Sequence, residues 1–264
     1  MSQDPLFTVE GQQVLVSGGS RGIGLALARA FAERGARVVI TGRDAETLES
    51  AAVDCEGEVI PMVCDVADLA AIDATVTQAI STLGHVDTFI NCAGVNRRKP
   101  ALEVTEEDYD FVLDINLKGA FFMAKAVGRH MVARESGNQI SIASLNTDHP
   151  GLQLLPYAAS KAGIGAMTKV LAMEWGPHKV RANAIAPGFI LTELTEKIWT
   201  NPIILDWGLP RHPLGRIGRP EDLISTAIYL ASPGAGWMTG QTLYVDGGFT
   251  AGWNWPIAEA QSQI

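Results

Sequence analysis

Apolar runs rich in β-branched residues recur along the chain at 13–17, 36–41, 58–63, 87–91, 139–143, 181–185 and 242–245. Short runs of that kind, bounded by turn residues, predict strands. Between them lie longer stretches whose apolar positions return at helical spacing, such as 22–34, with Ile23, Leu27, Ala30 and Phe31 along one side, and 156–175, with Ile164, Met167 and Leu171. Strand and helix alternate. That order implies right-handed crossovers and a seven-stranded parallel sheet covered by helices on both faces. Neither a Pro/Ser-rich linker nor an internal repeat divides the chain, so 1–264 reads as one doubly wound α/β domain. The uncharged stretch 223–245 is long enough to raise the question of a membrane span, but Ser232-Pro233-Gly234-Ala235-Gly236 breaks it into a helix, a loop and a strand.

One interval departs from the rhythm. Residues 187–220 hold Pro187, Pro202, Pro210, Pro213 and Pro220 with weak periodicity. A segment of that length after a strand end predicts a lid over a ligand, the alternative being a surface insertion without a role. The tail 250–264 carries Trp253, Asn254 and Trp255. It is expected to cover an active-site mouth, dock on a neighbouring subunit, or simply pack.

A chain that is 47% hydrophobic and 19% charged is expected to fold, which excludes intrinsic disorder. A net charge of −9 is a poor match for nucleic acid or an anionic membrane and favours a small-molecule partner. Cys55, Cys64 and Cys92 are odd in number and lack paired spacing, so neither a disulfide framework nor a zinc site is expected, and a reducing, cytoplasmic setting follows. The start MSQDPLFTVEGQQ has no secretory pattern. The histidines are scattered, and no metal site is expected.

The segment Ser17-Gly18-Gly19-Ser20-Arg21-Gly22-Ile23-Gly24 follows the first predicted strand and opens the first predicted helix. Gly18 suits a tight turn, Gly22 the close approach of a pyrophosphate and Gly24 close helix packing, while free N–H groups at the helix start attract phosphate. At the end of the second strand, a carboxylate would accept from a free ribose hydroxyl and an arginine would accommodate a 2′-phosphate. Arg43 stands there, with Arg21 as a second cation, so NADP(H) is expected over NAD(H). Asp44 is the contrary sign, unless it caps the helix that follows.

Tyr157 and Lys161 lie four apart, on one face of a predicted helix. Ser144 stands just past the 139–143 strand, at the carboxyl edge where such sheets bind ligands, and Asn116 interrupts an otherwise helical pattern. Together with Asp65, Asn91-Cys92-Ala93-Gly94, Pro187-Gly188, Thr192 and Val245-Asp246-Gly247-Gly248, these residues make the chain resemble the compact branch of the short-chain dehydrogenases/reductases over 9–249. Ser17 replaces the family's usual Thr, and Cys92 a second Asn.

The resemblance implies a Rossmann-type fold and an oxidoreductase acting on secondary alcohols and ketones. It makes Tyr157 the general acid/base, Lys161 the cation that, with the positive nicotinamide, favours the phenolate and also binds ribose, Ser144 the holder of the substrate oxygen and Asn116 the holder of a relay water. It also implies that Gly18, Ser20, Arg21, Gly22, Ile23, Gly24 and Arg43 meet the phosphates, Asp65 and Val66 the adenine, and Asn91, Ala93 and Gly94 the ribose side. Pro187, Gly188, Ile190 and Thr192 would meet the nicotinamide. Plainer roles stay open: Asp65 could cap a helix from Ala67, Thr192 could start a lid helix and Asn91 could be a turn residue.

Within the family, 94–100 and 186–195 look most like gluconate 5-dehydrogenases and 2-deoxygluconate 3-dehydrogenases, and the glycine turn with Arg43 is similar to tropinone-type ketone reductases. Arg97-Arg98-Lys99 would either meet an anionic substrate or form a solvated face. A homotetramer is implied, packed through 108–134, 156–175 and the last strand. Ala158, Ala159, Ala162, Gly163, Gly165 and Ala166 would allow close helix approach. The readings set against an NADP(H) enzyme are a cofactor-sensing protein without turnover, an NAD-dependent member, and an epimerase or dehydratase.

Overall fold

The computed structural model describes residues 4–252, so Trp253, Asn254 and Trp255 lie outside the described residues. The strands are β1 (Gln13–Ser17), β2 (Arg37–Gly42), β3 (Glu58–Val63), β4 (Thr88–Asn91), β5 (Gly137–Ile142), β6 (Val180–Pro187) and β7 (Thr242–Val245). The helices are α1 (Gly22–Ala32), α2 (Ala45–Val53), α3 (Leu69–Leu83), α4 (Glu106–Leu113), α5 (Ala120–Arg134), α6 (Leu155–Trp175), α7 (Glu196–Trp199), α8 (Pro202–Gly208) and α9 (Ile224–Ala231). All seven strands pair in parallel in the order β3-β2-β1-β4-β5-β6-β7.

Side chains alternate between the two faces with the strand period. Val14, Val16, Val38 and Ile40 pack with α1, α2 and α9 on one face, through Leu27, Phe31, Leu48 and Leu230. Leu15, Val39 and Phe89 pack with α3, α5 and the end of α6 on the other, through Ile72, Met123 and Leu171. Burial on both faces explains why the strands read as continuous apolar runs.

The expected helix 108–134 is three consecutive pieces. Between α4 and α5 the backbone widens into a π-helical turn over Asp114–Gly119, and Asn116 sits within it. Asp44 caps α2, its carboxylate accepting from Thr47 N–H at 2.8 Å. Asp65 is not a cap: it accepts from Ala67 N–H at 3.0 Å in a local turn, and Asp68 caps α3. Thr192 does not start a lid helix itself. Its carbonyl accepts from Thr195 and Glu196 N–H groups, and α7 follows.

The segment expected as a lid leaves β6, forms α7 and α8, and returns where Leu191 N–H donates to Gly218 O at 2.8 Å and Gly218 N–H to Phe189 O at 2.9 Å. Phe189 holds its base, with ring centroids 4.7 Å from Trp199 and 4.9 Å from Phe249. No helix of the described residues is long and apolar enough to cross a membrane.

Candidate active site

β1 neighbours both β2 and β4, so the chain's path reverses direction across the sheet at that point. Open parallel sheets bind ligands at such a reversal, outside the carboxyl ends of the strands. A cavity of about 780 Å³ opens there, running from the end of β2 past the glycine turn to Ser144, Tyr157 and the first residues of the lid.

The glycine turn is built for close approach. Gly18 has φ +70°, and a Cβ there would sit 2.7 Å from Ala93 backbone atoms. A Cβ on Gly24 would lie 2.1 Å from Gly18 O, so Gly24 lets the helix start close onto its own turn rather than onto another helix. α1 has no side-chain cap, which leaves its first N–H groups for an anionic ligand. Thr41 Oγ1, buried at the end of β2 and lining the cavity, has no hydrogen-bond partner among the described residues. An uncapped helix start and an orphaned hydroxyl beside it fit a dinucleotide.

Arg43 and Arg21 line this end of the cavity, with Arg21 Nη2 donating to Thr47 Oγ1 at 3.2 Å. The bonds from Thr47, both to Oδ1, hold the Asp44 carboxyl below its usual range and make it the cap of α2.

At the other end, Ser144 Oγ accepts from Asn146 N–H and from Asn146 Nδ2, each at 3.1 Å, and Ser144 and Tyr157 both line the cavity. Lys161 is buried, with Nζ 5.7 Å from the Tyr157 ring centroid and donating to Ile142 O at 2.7 Å. Burial brings Lys161 down to about 8. In the protein alone, burial raises Tyr157, outweighing the opposite pull of the Ser144 hydroxyl and of the charge of Arg98. Cys92, the departure from the family pattern, lines the cavity, and burial pushes its thiol up to about 11, so it is a neutral wall at physiological pH.

Of the residues read from the sequence, Gly18, Ser20, Arg21, Gly22, Ile23, Gly24, Arg43, Asp65, Val66, Ala93, Gly94, Ser144, Tyr157, Lys161, Pro187, Gly188, Ile190 and Thr192 line this one cavity. Two do not. Asn91 is buried behind it, accepting from Ser17 Oγ at 3.1 Å and donating to Ala120 O at 2.8 Å, so its amide ties β4 to β1 and α5. The Asn116 side chain is likewise spent: Oδ1 accepts from Val95 N–H at 2.7 Å, and Nδ2 donates to Val95 O at 2.8 Å and to Ser160 Oγ at 3.2 Å. It clamps the loop after β4 to the π turn.

The cavity also includes Thr195, which the sequence reading passed over. Its hydroxyl donates to Ile190 O at 2.6 Å and accepts from Thr192 N–H at 2.9 Å, fixing the root of the lid. The Thr-x-x-Thr spacing just before a helix was the available signal. Among the described residues no His/Cys/Asp/Glu group could hold a metal.

A family model described as enoyl-(acyl carrier protein) reductase matches residues 18–250. The chain is 39% identical over 253 residues to gluconate 5-dehydrogenase of Gluconobacter oxydans, covering 95% of this chain and 99% of that protein. It is 38% identical over 253 residues to D-threitol dehydrogenase of Mycolicibacterium smegmatis, with 95% and 97% covered. The crystal structure of a gluconate 5-dehydrogenase from Burkholderia cenocepacia J2315 in complex with NADP and tartrate matches with a TM-score of 0.91 at 36% identity, over 94% of this chain and 99% of that one.

Proposed function

The chain belongs to the short-chain dehydrogenase/reductase family, and from that premise we propose that it is an NADP(H)-preferring oxidoreductase interconverting a secondary alcohol and a ketone among sugar acids and polyols. The observation that carries the reading is the convergence of Ser144, Tyr157 and buried Lys161 in the same cavity as the uncapped start of α1.

In reduction, Tyr157 gives its proton to the carbonyl oxygen, and in oxidation it takes the proton from the hydroxyl. Ser144, oriented by Asn146, donates to that same oxygen as charge develops on it. Lys161 holds positive charge below the tyrosine and lies within reach of a ribose. NADP(H), when bound, supplies or takes the hydride and, in its oxidised form, adds a positive charge that favours the phenolate. Arg43 and Arg21 would hold its 2′-phosphate, the α1 N-terminus its pyrophosphate and Asp65 with Val66 the adenine. Pro187, Gly188, Ile190 and Thr192 would border the nicotinamide, and 187–220 would close over the substrate as a lid. The NADP-bound relative supports this cofactor.

Ala159, Ala162 and Ala166 stand exposed along α6 with Val170 and Met173, and β7 ends the sheet with one edge open. Both features support assembly into a homotetramer. Unpaired Cys55, Cys64 and Cys92 support a cytoplasmic setting. The test is a panel of ketones, alcohols, polyols and sugar acids followed by the absorbance of reduced cofactor, with NAD and NADP side by side. Turnover of one such pair with NADP is expected; no turnover of any member with either cofactor overturns the reading.

A further inference from the structure

Ser144 is followed by a single 3-10 turn, Leu145–Thr147, in which Asn146 is buried. Gly151 N–H donates to Asn146 Oδ1 at 2.9 Å, and Asn146 Nδ2 donates to Ser144 Oγ at 3.1 Å. These two bonds fix which way the amide lies. A backbone N–H can only donate, so the atom that faces Gly151 is the carbonyl oxygen and the atom that faces Ser144 is the NH₂ group. The Asn146 backbone N–H donates to the same serine oxygen, also at 3.1 Å.

A serine hydroxyl accepts twice and donates once. Two N–H donors therefore occupy both lone pairs of Ser144 Oγ, and the group has only its proton left to offer to the cavity that it lines. Without Nδ2, one lone pair would be open, and the hydroxyl could turn to accept from a neighbouring O–H instead of donating. Asn146 does not itself line the cavity. It is held from behind, because Gly151 belongs to the loop that leads into α6, and Lys99 N–H donates to Gln153 O at 3.2 Å in that same loop. The side chain that aims Ser144 is thus anchored on the approach to the Tyr157 helix.

We infer that Asn146 is a positioning residue for the reaction: by filling the second lone pair of Ser144, its amide makes that hydroxyl a one-way donor to the substrate oxygen. This rests on the oxidoreductase reading above and goes further, because that reading requires a hydroxyl at Ser144 but does not say what fixes the direction of its proton. A donor aimed at the substrate oxygen counts most when negative charge develops there, so the effect falls on kcat rather than on KM. Asn146→Asp separates this role from a merely structural one. The carboxylate keeps the shape of the amide and the acceptor for Gly151, but it places an oxygen where Nδ2 stood. Ser144 would then give its proton to residue 146 and none to the substrate.

The test places Asn146→Asp and Asn146→Ala in the wild type and in Ser144→Ala, and follows steady-state turnover of the best alcohol or ketone from the panel above together with thermal unfolding. With Ser144 present, Asn146→Asp should lower kcat roughly 100-fold and Asn146→Ala roughly tenfold, with KM and NADPH affinity within a few-fold. In Ser144→Ala, the further loss of kcat from Asn146→Asp should be no more than about threefold, because the hydroxyl it acts through is gone. The melting temperature should show the same coupling: Asn146→Asp should lower it more in Ser144→Ala than in the wild type, since the serine proton is what satisfies the buried carboxylate. If the aspartate variant does not fold, Asn146→Ala carries the same comparison of kcat. Equal losses of kcat in both backgrounds would reduce Asn146 to a scaffold or a charge effect and overturn the inference, as would an Asn146→Asp enzyme with normal turnover. Coupling in the melting temperature without turnover of any substrate by the wild type would sustain the fixed direction of the Ser144 bond while removing the oxidoreductase reading.

Discussion

Tyr157 and Lys161 share one face of α6, yet burial acts on them in opposite directions, raising the phenol and lowering the amine. Each shift moves its group toward the neutral form, as desolvation requires. A phenol raised above its ordinary range stays protonated at neutral pH, so on the reading proposed above the positive charge of a bound oxidised cofactor is what would favour the phenolate. Tyr157→Phe keeps the ring and removes the proton. Turnover should fall at least about 100-fold while NADPH affinity, followed by fluorescence titration, stays within a few-fold. Near-normal turnover in that variant would exclude Tyr157 as the proton donor. Cofactor choice is also a matter of single residues. Arg43→Asp replaces a phosphate partner with a repelling charge, and the KM for NADP should rise several-fold or more while that for NAD changes little or falls. A wild-type KM lower for NAD than for NADP contradicts the assignment.

The strand-turn-helix unit β1-α1 and the lid segment after β6 meet across the cavity. Methyl atoms of Thr192 would lie 3.5 Å from a Cβ on Gly22, which brings the lid root against the phosphate turn. The first unit is rigid because its glycines allow contacts that no side chain fits. Gly24→Ala would force a Cβ to within 2.1 Å of Gly18 O, so the turn must open. NADPH affinity should drop at least about tenfold, with a lowered melting temperature, as overpacking costs typically 1–3 kcal/mol. An alanine variant that binds NADPH normally would mean that the turn accommodates the methyl and that its tightness is not what shapes the site. The lid root is held differently, by the Thr195 hydroxyl and the Ile190 to Gly218 bridge, and α7 and α8 beyond it are short. Short helices linked to the sheet at one base are suited to move as a unit.

In the whole molecule, α6 serves two surfaces. Gly163 and Gly165 point inward, where a Cβ would lie 2.9 Å from Leu117 and 2.8 Å from Thr147 side-chain atoms. Ala159, Ala162 and Ala166 point outward, spaced to meet a second helix. The small residues between Ala158 and Ala166 thus divide between an inner side packed on the fold and an exposed side open to assembly, with Ala158 half-buried between them. Pairing of α6 with a symmetry mate would brace two Tyr157 helices against each other. Light scattering should give a mass near four times 28.2 kDa, and Ala166→Trp should lower both mass and activity. A fully active monomer at micromolar concentration would refute the assembly and leave the chemistry untouched.

The strand runs at 13–17, 58–63 and 242–245 coincide with β1, β3 and β7, and the glycine turn and the Tyr157–Lys161 pair were legible for the same reason. Each depends on residues within a few positions of one another, where backbone geometry alone dictates which side chains share a face. Asn116 shows the limit. Its place in a helical pattern marked it as unusual, but its bond to Val95, 21 residues away, exists only once β4 and the π turn are brought together. Asn91 reaches Ser17 across 74 residues, a pairing set by the β1–β4 neighbourhood that the chain order conceals. Arg97, Arg98 and Lys99 read as one run of charge until α4 brought Asp108 to the first and the last. Local sequence determined the elements and the chemistry they carry. Which polar groups were consumed by the fold, and which were left for a ligand, was decided by contacts between distant segments, because a hydrogen bond or an ion pair is satisfied by whatever the tertiary structure places within about 3 Å of it.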